Sequence, residues 1–127
     1  MPSLDTLGFA YVPLYCEGSG DCKIHFVLHG CNMNLEGIGF DFIKYNQINE
    51  LAEANKFVVV YPMVKLIESP KFDNKACWDF FGYTNRGSDL ASAYMTKTAP
   101  HIQYLYDLYQ SFVQGTIDLL PTHIDSP

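Results

Sequence analysis

The run Phe57-Val58-Val59-Val60-Tyr61-Pro62 constrains this chain more than any other stretch. It carries no charge, is β-branched at its centre and closes on proline, which suits a strand covered on both faces by the crossover helices of a parallel sheet. Residues 23–29 (Lys-Ile-His-Phe-Val-Leu-His) alternate weakly, then turn continuously apolar up to Gly30, and read as the central strand. Between the two, residues 40–55 place Phe40, Ile43, Gln47, Ile48, Leu51 and Ala52 at helical spacing, with Glu50 and Glu53 outward and Asn55 as the stop. Strand, helix, strand is a βαβ unit, so the expected class is α/β with a mainly parallel sheet and flanking helices.

The flanking sequence extends this unit without completing it. Residues 9–14 read as a short strand that Pro13 confines to an edge or an end. Residues 63–95 hold no sustained period and read as a long ordered loop around Cys77-Trp78-Asp79-Phe80-Phe81-Gly82-Tyr83. From Pro100 to Gly115 a second helix is expected to cover the sheet with Ile102, Leu105, Tyr106, Tyr109, Phe112 and Val113 on one face, followed by a polar tail over 119–127. A chain of 127 residues holds one domain, and three strands with open edges look like half of one.

A formal charge of −6, from 14 acidic against eight basic residues, repels phosphate backbones and anionic lipid, so neither nucleic acid nor membrane is an expected partner. No apolar run nears the roughly 20 residues of a membrane-spanning helix. The first residues, Met1-Pro2-Ser3-Leu4-Asp5, have neither the basic start nor the apolar stretch of a secretory signal. Cys16, Cys22, Cys31 and Cys77 allow two disulfides in three connectivities, and Cys16 with Cys22, bracketing a glycine-containing turn, is the easiest pair to close. Their spacing does not suit zinc, and no metal or cofactor is expected.

Several residues invite chemistry, each beside a plainer role. Gly30 and Cys31 follow a strand's carboxyl end, where backbone N–H groups could form an oxyanion hole; from local sequence alone, a turn and a structural thiol are the favoured roles. His25 and His29 would lie roughly 13 Å apart along a strand, too far to share a metal, and read as structural. Ser19 sits in a turn rather than in a Gly-x-Ser-x-Gly elbow, and neither His101 nor His123 has a serine in suitable context. Trp78, Phe80, Phe81 and Tyr83 suit an apolar ligand site as well as they suit core packing. Asp79 and Asp89 read as solvated or capping residues, and Asn85-Arg86-Gly87 as a turn.

Taken in order, Tyr11-Val12-Pro13, the stretch from Cys22 through His29-Gly30-Cys31, Tyr45-Asn46 through Tyr61-Pro62, and Cys77-Trp78-Asp79-Phe80-Phe81-Gly82-Tyr83 resemble the poly(3-hydroxybutyrate) depolymerases. The resemblance covers residues 8–113, with 114–127 as a tail, and implies a single partial α/β-hydrolase domain over 1–127. It implies an esterase that cleaves polyesters with a Ser/His/Asp triad, the Cys31 amide in the oxyanion hole and Trp78 lining the polymer groove. This sequence departs where family members commonly carry two further tryptophans, at Phe80 and Phe81, and a glutamine, at Met63. The serine elbow, acid and histidine of the triad have no counterpart.

The chain is therefore expected to be inactive alone and to need the rest of a hydrolase domain. That remainder would follow it in the usual chain order or precede it in circularly permuted members, whose carboxy-terminal segment residues 7–16 and the cysteine pair resemble. The resemblance also implies an extracellular place if the chain is part of a full-length depolymerase. The alternatives are a non-catalytic binding module derived from a hydrolase and a truncated relic.

Overall fold

In the computed structural model, residues 3–18, 21–85, 94–117 and 119 are described. Ser19, Arg86, Gly87, Asp89, His123 and the tail beyond 119 lie outside them. Three strands, β1 (Phe9–Tyr11), β2 (Lys23–Phe26) and β3 (Phe57–Tyr61), form one sheet in the order β1-β3-β2. β3 is central because its residues can be buried on both faces: Val59, Val60 and Tyr61 are all nearly inaccessible. β2 runs parallel to it, pairing His25 with Val59, while β1 runs antiparallel, pairing Ala10 with Val60.

Two sequence expectations change here. The sheet is mixed rather than mainly parallel, since one of its two pairings is antiparallel. β2 is an edge strand, not the central one, with Lys23 and His25 exposed and Ile24 and Phe26 half-buried. Its ladder reaches one residue further, through the Val27 N–H to the Val60 carbonyl oxygen at 2.9 Å.

The expected helix over 40–55 is also broken. α1 (Leu35–Ile38) precedes it, and the stretch itself splits into α2 (Asp41–Tyr45) and α3 (Ile48–Asn55) around Gln47, whose φ is +66°. Two asparagines cause the break by bonding backbone that a continuous helix would use. The Asn46 carboxamide oxygen accepts from Ile48 N–H at 2.8 Å, and Asn49 donates to the Ile43 carbonyl oxygen at 3.2 Å. The Tyr61 hydroxyl locks the junction, donating to Asn49 at 2.6 Å and accepting from Asn46 at 3.3 Å. Ile43 and Ala52 thereby still reach the core beside Val59, Tyr61 and Met63, so the βαβ connection holds.

Beyond β3 comes a two-residue-strand hairpin, β4 (Glu68–Ser69) with β5 (Phe72–Asp73), within the stretch expected as loop. The chain divides into two compact units between Ala76 and Cys77. The second holds α4 (Pro100–Gln114), which starts on proline and ends at Gly115 with φ +68°, as its sequence predicts. Its inward face differs from the expected one: Ile102, Tyr106, Tyr109 and Val113 are exposed, while His101 is buried. Among the described residues no helix is long and apolar enough to cross a membrane.

Candidate functional site

Residues 29–34 form the first candidate element, leaving β2 at its carboxyl end. His29 is buried, its Nε2 accepts from Val64 N–H at 3.0 Å, and Nδ1 lies 2.7 Å from the Gly30 carbonyl oxygen. An Nε2 that accepts carries no proton, so Nδ1 is the donor. Burial pushes the His29 pKa below its ordinary value, against a smaller opposing pull from the Gly30 carbonyl, and the neutral ring is the form that this geometry needs. His29 is therefore structural, as its sequence context suggests, and His25 is separately occupied against the Phe57 ring at 5.6 Å.

Gly30, Cys31 and Asn32 are exposed, and the loop is braced from several directions. Asn32 adopts φ +59° and donates its N–H to Lys75 at 2.8 Å, while Met33 N–H reaches Gly30 at 3.1 Å. Asn34, buried, caps α1 by accepting from Gly37 N–H and donates to Val64 at 2.9 Å. Gly37 is required here, because a Cβ would collide with the Asn32 carbonyl oxygen. The turn that receives Asn32 is itself pinned by buried Asn74, which accepts from Ile67 and Ala76 N–H at 2.9 and 3.0 Å and donates to Lys65 at 3.0 Å. Sequence reasoning missed Asn34 and Asn74; asparagine before a short helix and before a left-handed pair, Lys75-Ala76, was the available signal.

Residues 77–84 form the second element. Asp79 Oδ1 accepts from the N–H groups of Phe81, Gly82 and Tyr83 at 3.2, 2.6 and 3.0 Å. Its Oδ2 accepts from Thr84 N–H at 3.0 Å and from the Thr84 hydroxyl. Burial works to raise the Asp79 pKa, but these donors together hold it below the usual carboxylate range. Of the two roles read from the sequence for Asp79, solvated or capping, its bonds to four successive N–H groups fit the second. Asp79 N–H in turn donates to Nδ1 of buried His101 at 3.0 Å, and burial lowers the His101 pKa despite the Asp79 charge.

The four aromatic residues of this element have different surroundings. Tyr83 is buried, its hydroxyl donating to the Cys77 carbonyl oxygen at 2.6 Å, and Trp78 is half-buried, edge-on to His101 at 5.2 Å. Phe80 and Phe81 are 65% and 48% exposed and pack against each other edge to face at 4.9 Å. All four cysteines are in disulfides: Cys16 bonds Cys22, and Cys31 and Cys77 are also oxidised. Among the described residues no group of three or more His, Cys, Asp or Glu could hold a metal ion.

No protein-family model matches the chain. It is 30% identical to a poly(3-hydroxybutyrate) depolymerase from Delftia acidovorans over 127 aligned residues, which take in 96% of this chain and 24% of that protein. Over nearly its whole length the chain is similar to part of a poly(3-hydroxybutyrate) depolymerase. Two solved structures agree, each matching 62% of this chain at 31% identity and each covered over 28% of its own length. One is the depolymerase of Penicillium funiculosum, with a TM-score of 0.54; the other is a serine-to-alanine depolymerase variant complexed with an R3HB trimer, with a TM-score of 0.53. The chain thus spans about a quarter of the length of the depolymerases it matches.

Proposed function

We propose that this chain is the depolymerase segment that supplies the oxyanion-hole loop and the aromatic substrate wall of a serine esterase. The Ser/His/Asp triad would lie on sequence outside it, as in the carboxy-terminal part of a circularly permuted member. The observation that carries this reading is the likeness to a poly(3-hydroxybutyrate) depolymerase across 96% of the chain, combined with a match to only a quarter of that protein.

Attack on an ester carbonyl places negative charge on its oxygen, and backbone N–H groups held in place beforehand stabilise that charge without reorganising. Gly30 and Cys31, exposed on a loop braced by His29, Asn32 and Asn34, suit this task. Trp78, Phe80, Phe81 and Tyr83 would form or back a wall for the methyl and methylene groups of a polyester or short-chain ester. No cofactor enters this chemistry, since the triad splits hydrolysis into acylation and deacylation. The cysteines, all oxidised, fit the oxidising surroundings of a protein that meets its polymer outside the cell.

The test is adsorption and turnover by the purified chain. It should adsorb to poly(3-hydroxybutyrate) granules and leave p-nitrophenyl butyrate unhydrolysed. Serine-reagent-sensitive hydrolysis would overturn the division of labour, and failure to adsorb would overturn the substrate class. Sequencing the source transcript should place a Gly-x-Ser-x-Gly frame upstream; a downstream one would reverse the chain order proposed.

A further inference from the structure

The Phe80–Phe81 pair is unusual in being both exposed and held. Two adjacent phenylalanines on a free loop would fold back onto apolar surface, whereas here the backbone beneath them is fixed at several points by one side chain. We propose that Asp79 is the positioning residue of the aromatic wall, its carboxylate presenting Phe80 and Phe81 to polyester in the orientation that binds. This rests on the aromatic-wall reading above.

The geometry supports the role in three ways. Both carboxylate oxygens are engaged, Oδ1 by three successive N–H groups and Oδ2 by both donors of Thr84, so the turn from Phe81 to Thr84 cannot open without breaking charge-assisted bonds. The residue's own N–H is tied to His101, and α4 begins on the residue before it, so the clamp is anchored to a fifteen-residue helix rather than to another loop. At the far side, Tyr83 is buried and bonded to Cys77. Phe80 and Phe81 lie between these anchors and are the residues that the clamp leaves in solvent.

A wall ordered before binding avoids the entropy of ordering two rings during it, which for two side chains amounts to roughly tenfold in affinity. The experiment measures adsorption of the purified chain to poly(3-hydroxybutyrate) granules, quenching of Trp78, the single tryptophan, by R3HB trimer, and thermal unfolding. Asp79→Ala should weaken both binding readouts roughly tenfold at temperatures where the chain is fully folded. Asp79→Asn keeps one acceptor oxygen for the three N–H groups and should recover part of the loss.

A brace that serves stability alone would lower the unfolding temperature and leave the affinity of the folded protein unchanged, and that result overturns the proposal. If Asp79→Ala does not fold, Asp79→Asn and Thr84→Val carry the test, and wild-type affinity in both overturns it. The double variant Phe80→Ala/Phe81→Ala separates the two readings. If it binds like wild type, the aromatic wall itself is wrong; if it binds weakly while the folded Asp79 variants bind normally, only the positioning role is wrong.

Discussion

Residues 29–34 and residues 77–84 are both partly exposed loops anchored by a buried histidine that accepts one backbone N–H, and they differ in what else holds them. The first relies on neutral groups: His29 through Nε2, then the carboxamides of Asn34 and Asn74. The second relies on a charge, the Asp79 carboxylate, with His101 accepting through Nδ1. What they display differs correspondingly. Neutral pegs hold small exposed residues, Gly30 and Cys31, whereas the carboxylate holds a turn that carries two large rings, Phe80 and Phe81, at the surface. If the first loop offers N–H donors as proposed, amides are the better brace, since a nearby anion would compete for those donors.

The largest way to break the comparison is to remove a neutral peg. Asn74→Ala would strand the N–H groups of Ile67 and Ala76 and the Lys65 carbonyl in a site with almost no solvent access. At about 1–3 kcal/mol for each buried group left unsatisfied, partly relieved by relaxation, the loss should total about 2–4 kcal/mol in urea unfolding. Gly37→Ala should follow at about 1–3 kcal/mol, the range for forcing an atom into a filled space, because the Asn32 carbonyl must move away. A change under 0.5 kcal/mol in either variant would show that the first loop is not held as described.

Acid should separate the loops by pH. His29 and His101 titrate lower in the folded chain than in the unfolded one, so the unfolded state takes up protons first. Stability is then full above about pH 6.5, the ordinary histidine value, and falls as pH drops towards the folded-state values. Asp79 has the same sign at a lower range: its contribution is present above the ordinary aspartate value, near 3.8, and is lost as pH falls through its depressed folded-state value. Urea unfolding at stepped pH should show a first decline that His29→Phe and His101→Phe each reduce. A second decline, below about pH 4, should be reduced selectively by Asp79→Asn. An acid profile unchanged in all three variants would refute the assignment.

How far these arrangements were legible in the sequence follows from what fixes each. The βαβ order, Asp79 as a cap, the ends of α4 and the Cys16–Cys22 bond were readable because local chemistry determines them. The break at Gln47 was not, since it depends on Tyr61, a residue twelve positions from Asn49, completing a bond network. The place of β2 at the sheet edge was hidden for a related reason. An apolar run reports that a strand's faces are covered, not how many strands flank it, and among the described residues β2 has one neighbour, β3. The Asn34 and Asn74 pegs bond backbone up to 30 residues away and leave only a weak trace as turn residues.

The smallest expected effect on stability concerns α4. Ile102, Tyr106, Tyr109 and Val113 recur at intervals of four, three and four, which places them in one narrow stripe along the helix, and all four are exposed. His101, Leu105, Leu108 and Phe112 repeat the same intervals one residue earlier, on the buried or half-buried side. Two adjacent apolar stripes make a helix suited to burial over a wide arc, and this chain buries the inner one. Tyr106→Lys/Val113→Lys should therefore change unfolding by less than about 0.5 kcal/mol, the usual limit for exposed sites, while reducing self-association in sedimentation velocity at high concentration. The matching change on the inner stripe, Leu105→Lys/Phe112→Lys, should unfold the second unit. If the outer pair destabilises as strongly as the inner, the helix is buried on both stripes and the contrast between them fails. If the outer pair changes neither stability nor association, the stripe is an ordinary surface and gives no reason to expect neighbouring apolar structure there.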